Sequence, residues 1–125
     1  TELLREELDQ LIKQGKKITL KKQKGFIFRY FMAKYDEVYG TSYKPGNRMK
    51  DFGQIGHILS DYEMMETDNF FTVIDYYVEG YRGRWDKGRF KTPSVVFLKY
   101  VISEIVTELA ELEKKDETDI DEYWI

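Results

Sequence analysis

An all-α fold, a compact bundle of about five helices trailed by an acidic tail, is what this sequence predicts, and three observations carry the prediction. Apolar residues recur at three- and four-residue intervals in five successive segments. Strand-like alternation of apolar and polar residues is sustained nowhere. Between the segments stand glycines, prolines and short polar residues of the kind that start and stop helices.

The first helix is read from Leu3, Leu4, Leu8, Leu11 and Ile12, with Gly15 as its stop. Thr19 caps the second, whose core face is Ile27, Phe31, Tyr35 and Val38 with Phe28, Met32 and Tyr39 beside it, and Gly40 ends it. Gly25 inside that pattern costs about 1 kcal/mol against alanine, so a later start near Phe26 is the alternative. "TSYKPGN" is a turn, and Asn47 caps a third helix with Met49, Phe52, Ile55 and Leu59 inward. Thr67 or Asp68 caps a fourth that buries Phe70, Phe71, Ile74, Tyr77, Val78 and Tyr81. "GYRGRWDKGRFKTP", residues 80–93, reads as a loop. Thr92–Pro93 then starts the fifth helix, since proline at the first helical position loses no hydrogen bond. That helix continues through Val96, Phe97, Val101, Ile105, Val106, Leu109 and Leu112. Its stripe is expected to bury Phe97, Val101 and Ile105 against Phe31, Phe52 and Ile74. Residues 1–114 form the domain, and 115–125 an exposed tail without apolar periodicity.

The bulk composition narrows the function classes. A chain of 125 residues with 42% hydrophobic and 16% aromatic content has enough to bury for one core. There is no cysteine, which excludes disulfides and thiolate chemistry and suits a reducing compartment. No membrane-length apolar run and no signal-peptide pattern occur, so a cytoplasmic protein without a membrane partner is expected. His57 is the single histidine and has no evident catalytic partner; a structural or surface role is the expectation. No phosphate-binding glycine loop, serine elbow or histidine-based metal spacing appears. The expectation is a protein that binds rather than catalyses, with no cofactor and no metal.

The net charge of −3 conceals a strong asymmetry. Lys13, Lys16, Lys17, Lys21, Lys22, Lys24 and Arg29 occur with no acid among them. A second basic stretch holds Arg82, Arg84, Lys87, Arg89 and Lys91 against Asp86 alone. Acids dominate from Glu104 to Glu122. Lys and Arg neutralise phosphates and release counterions, and Trp85, Phe90 or Tyr81 beside them could stack on an unpaired base. Lys17, Lys21 and Lys24 lie at helical spacing and form one cationic stripe. Nucleic-acid binding, to DNA above all, is therefore expected at Lys17, Lys21, Lys24, Arg82, Arg84, Trp85, Lys87, Arg89 and Lys91, with the arginines of the loop mainly exposed. The competing readings are a solvated loop whose Trp85 folds back onto the core, and a lysine stripe that serves solubility.

The C-terminus carries a separate signal. Asp116, Glu117, Asp119, Asp121 and Glu122 precede Tyr123, Trp124 and Ile125. Exposed apolar residues at a chain end need a receiving surface, and acids before them steer the peptide toward a basic pocket. Asp119, Asp121, Glu122, Tyr123, Trp124 and Ile125 are thus the expected partner-binding residues; folding back on the domain is the alternative.

"DIDEYWI" resembles the acidic, hydrophobic-ended tails of single-stranded-DNA-binding proteins and of clamp-binding phage polymerases and late-transcription coactivators. It lacks the proline-phenylalanine ending of the first and the leucine-phenylalanine pair of the second. "FRYFMAKYDEVYGTSY", "KDFGQIGHIL", "VIDYYVEGY" and "TPSVVFLKYVI", within residues 28–106, are similar to helical modules of small tailed-phage replication proteins, helicase loaders included. The resemblance implies an accessory or adaptor protein of phage DNA replication or transcription in a bacterial cytoplasm, tethered to a partner protein by its tail. A purely protein-binding regulator of a host polymerase or helicase is the alternative from another class.

Overall fold

The structure, a computed structural model, describes residues 1–44, 48–62, 66–86, 88 and 92–124, and for residues 68 and 116–124 the backbone alone. Among these residues it is all helical: α1 (Glu2–Lys13), α2 (Leu20–Tyr39), α3 (Arg48–Asp61), α4 (Thr67–Arg84) and α5 (Val95–Trp124). The main packing is α2 on α4; α3 and α5 pack on each other and on α2 and α4 respectively, and α1 lies along α2.

Local chemistry places the first two helices where the sequence expects them. Gly15, at φ 68°, closes α1: its N–H donates to Ile12 O, and Lys16 N–H reaches back to Leu11 O. Together these two bonds satisfy carbonyls that the helix end would leave unpaired. Thr19 Oγ1 then accepts from Lys22 N–H at 3.3 Å, so α2 takes the early start and includes Gly25. Gly40, also left-handed at φ 71°, ends it. A left-handed backbone costs any residue with a Cβ, and glycine escapes that cost.

The core centres on α4, where Phe70, Phe71, Ile74, Tyr77, Val78 and Tyr81 are all buried as expected. Tyr30 stacks on Phe71 with 4.0 Å between centroids, and its hydroxyl donates to Asp75 Oδ1 at 2.7 Å. Arg5 of α1 completes the cluster by donating to Asp75 Oδ2 at 2.8 Å and to the Tyr30 hydroxyl at 3.1 Å. Burial and the neighbouring Asp75 carboxylate push the Tyr30 phenol well above its ordinary range, so it remains a donor.

Several expected core positions are corrected. On α3, Ile55 and Leu59 are buried as expected, but Met49 is 85% exposed and Phe52 only half-buried, while Asp51 and Ile58 are turned inward. Tyr43, from the preceding loop, donates to the buried Asp51 carboxylate at 3.0 Å and so satisfies it in the interior. Desolvation raises the Asp51 pKa, which the Tyr43 bond opposes. Leu3, Ile12, Val38 and Leu112 are exposed at the edges of their stripes. Val101 and Ile105 are buried, as are Phe31 and Ile74, whereas Phe97 is half-buried and meets Tyr81 edge-on at 5.9 Å.

Helix boundaries shift as well. α4 runs on through Arg84 because Tyr81 is core, so Gly80 and Gly83 are helical rather than part of a loop. Glu66 occupies the position before α4, not Thr67 or Asp68, and α5 begins at Val95 instead of at Pro93. Ser94 supplies the α5 cap, its Oγ accepting from Phe97 N–H at 3.1 Å. The Tyr77 hydroxyl anchors that cap by donating to Ser94 O at 2.8 Å and accepting from Ser94 N–H at 3.1 Å. At its far end α5 stays helical to Trp124, through the stretch expected to be a tail without helical periodicity; the side chains that bear on tail exposure lie outside the described residues. Residues 110–115 are all exposed, so the helix has left the bundle before the tail begins. Asn47 and the Pro45–Gly46 turn lie outside the described residues.

Candidate nucleic-acid interface

The two basic stretches end in different surroundings. At the α1–α2 corner, Lys13, Lys16, Lys17, Lys21 and Lys22 are exposed, and none makes an ion pair among the described residues. The glycine-terminated end of α1 and the threonine-capped start of α2 bring them together on one bend. Lys24, on the next turn, is half-buried, and its side-chain stem lies over Gly56 of α3. A Cβ at Gly56 would lie 3.0 Å from Lys24 Cε and 3.1 Å from Nζ, so the glycine gives the tip of this side chain room over α3. Arg29 lies over the Phe26 ring at 4.9 Å and makes a long 3.9 Å pair with Glu7. Arg48, absent from the expected site, is exposed at the start of α3 on the same side.

Between α2 and α3 a slot of about 240 Å³ opens beside this corner, lined by Gly25, Phe28, Arg29, Met32, Arg48 and Phe52. Phe28 and Phe52 stack at its base, 4.9 Å apart and 20° from parallel. The sequence offers no local signal for the slot, since its residues come from two helices that only packing brings together.

The end of α4 is different. Arg84, expected to be mainly exposed, is instead half-buried and clasped by Glu104 and Glu108 of α5. Hydrogen bonds from Arg84, and then from the Tyr76 hydroxyl, hold the Glu108 carboxyl down at about 2. The same carboxylates raise the Arg84 pKa further. This correction follows from helix geometry: Glu104 and Glu108 are one turn apart on α5 and present two carboxylates to one guanidinium. Trp85 is half-buried, against Tyr77 at 5.7 Å on one side and under Arg84 at 4.7 Å, as in the competing reading in which it folds back onto the core. Its ring is therefore already engaged on the protein's own core. Arg82 is exposed but stacks on Tyr39 at 4.4 Å. An open recess of about 430 Å³, lined by Tyr76, Glu79, Gly80, Arg84 and Trp85, lies here, its cation already neutralised.

Lys87, Arg89, Phe90, Lys91 and Ile125 lie outside the described residues, as do the side chains of Asp119, Asp121, Glu122, Tyr123 and Trp124. Among the described residues no cluster of three metal-ligating side chains occurs, and no helix is long and apolar enough to cross a membrane. His57 is exposed on α3. No protein-family description, no curated protein and no solved structure matches the chain.

Proposed function

We propose that this protein binds nucleic acid through the α1–α2 corner and acts as an adaptor, its C-terminal peptide recruiting a replication or transcription protein. The observation that carries the reading is the group of exposed lysines from Lys13 to Lys22, gathered on one bend with no opposing carboxylate among the described residues. Free ammonium groups hold counterions that phosphates displace, and the entropy of that release drives binding. Lys24 and Arg48 extend the cationic surface across α2 onto α3. No catalytic group is needed for this role. DNA in a phage-type replication or transcription setting is the ligand that the sequence resemblance favours. The tail's part rests on its sequence, acids followed by Tyr-Trp-Ile.

The decisive experiment is a salt titration of oligonucleotide binding. Phosphate contacts make log affinity fall linearly with log salt, by about 0.9 per contact on duplex DNA. A salt-independent or undetectable interaction would reject the reading. Deletion of residues 119–125 should leave oligonucleotide binding intact and remove capture of the partner. Retained capture would reject the adaptor role of the tail. The alternative, a regulator that uses this basic surface to hold an acidic protein, finds some support in Leu20 and Met49, both exposed apolar residues among the cations.

A further inference from the structure

Gly25 lies in the middle of a helix, at a position where glycine is a poor choice and no turn requires it. A Cβ built there meets nothing within 4 Å, so no neighbour excludes a side chain. What its bareness does is keep one wall of the α2–α3 slot open, since Gly25 lines it together with Phe28, Met32 and Phe52. Arg29 and Arg48 flank this apolar space, and both are substantially exposed.

We propose that the slot receives one unpaired base of a single-stranded nucleic acid, with Arg29 and Arg48 on the phosphates to either side. The proposal rests on the nucleic-acid reading of the neighbouring lysines. Three features choose this occupant. The volume of about 240 Å³ lies under the ~300–1,000 Å³ typical of cofactor-sized pockets, so it suits one flat ring. Half-buried Phe52 and Met32, over a floor of buried Phe28, offer an aromatic ring and a thioether to any base, which makes recognition tolerant of sequence. Charge is complementary at the rim, where the two guanidiniums continue the lysine row, and the long Arg29–Glu7 pair can be exchanged for a phosphate. Duplex DNA keeps its bases stacked and cannot fill the slot without first extruding one.

The test compares a short labelled oligothymidylate with a duplex of equal length by fluorescence anisotropy, using the full chain, Gly25→Leu and Arg48→Ala. Gly25→Leu fills the slot from within and places a better helix former in α2, so its melting temperature should hold or rise. Its affinity for the single strand should fall on the order of tenfold while duplex binding is unchanged. Arg48→Ala, an exposed change that leaves folding alone, should weaken single-strand binding and reduce the salt slope by about 0.7. If the parent binds the oligonucleotide and both variants match it, the slot is overturned while the lysine surface stands. If the parent binds neither strand form, the underlying reading fails and the slot falls with it. Slot-dependent binding of a synthetic peptide of residues 116–125, without oligonucleotide binding, would also overturn it, in favour of an acidic peptide.

Discussion

The lysines at the α1–α2 corner and the arginines at the end of α4 differ in what stands opposite them. Around Lys13 to Lys22 the chain supplies no carboxylate partner among the described residues, so the charge faces solvent. At the end of α4, Arg84 meets Glu104 and Glu108, Arg82 stacks on Tyr39, and Trp85 packs on Tyr77. In the first region the charge is left without an ion-pair partner; in the second, Arg84 ties α4 to α5, Arg82 ties it to α2, and Trp85 packs back on α4 itself. A count of cations along the chain treats the two alike, whereas their partners separate them.

If the second region is structural, loosening its anchor should destabilise the protein more than it changes binding. Tyr77→Phe removes the hydroxyl that holds both backbone groups of Ser94 and should lower stability by about 1–3 kcal/mol in denaturant melts. An unchanged melt would show that the Ser94 cap holds without α4. The first region should behave in the opposite way. Replacing both Lys17 and Lys21 by alanine should weaken oligonucleotide binding on the order of tenfold and flatten the salt slope by about 2, leaving the melt unaltered. A large loss of stability in that variant would place the lysines in the fold and break the comparison.

The smallest expected effect is that of Arg84→Ala: a slight drop in melting temperature, larger at low salt, and no change in oligonucleotide affinity. Its pH dependence sharpens the point. Glu108 is held at about 2 in the folded protein, below its unfolded value, so its contribution is present above the unfolded pKa and is lost as pH falls through about 2. Arg84→Ala should shrink that acid-side loss to the part that Tyr76 sustains, which a series of melts from neutral to strongly acidic pH would reveal. Weaker oligonucleotide binding in Arg84→Ala would return this arginine to the interface.

Much of the fold was legible from side-chain spacing and caps. The all-α class, the fully buried face of α4, the Thr19 cap and the glycine stops at Gly15 and Gly40 are local properties, each decided within a turn or two of chain. Periodicity was less informative where a tertiary bond overrode it. On α3, Met49 is exposed and Phe52 half-buried while Asp51 lies inside, a position open to a carboxylate only because Tyr43 from a different segment satisfies it. The start of α5 moved from Thr92–Pro93 to Ser94 because a buried tyrosine on α4 holds that residue's backbone.

The candidate site divides along the same line. By itself the sequence determined where positive charge is concentrated and that no acid interrupts it from Lys13 to Arg29, since charge is a property of the residue. Only the tertiary structure decided which of those charges stay available. Whether a guanidinium meets solvent or two carboxylates depends on a helix twenty residues further along the chain, as Arg84 and Glu104 show. The slot is likewise a tertiary product: Gly25 and Phe28 belong to α2, Arg48 and Phe52 to α3, and packing of the two helices makes them one surface. Helical periodicity ranks faces within an element, but which faces of two elements meet is set by how their side chains pack, as Phe28 and Phe52 do here.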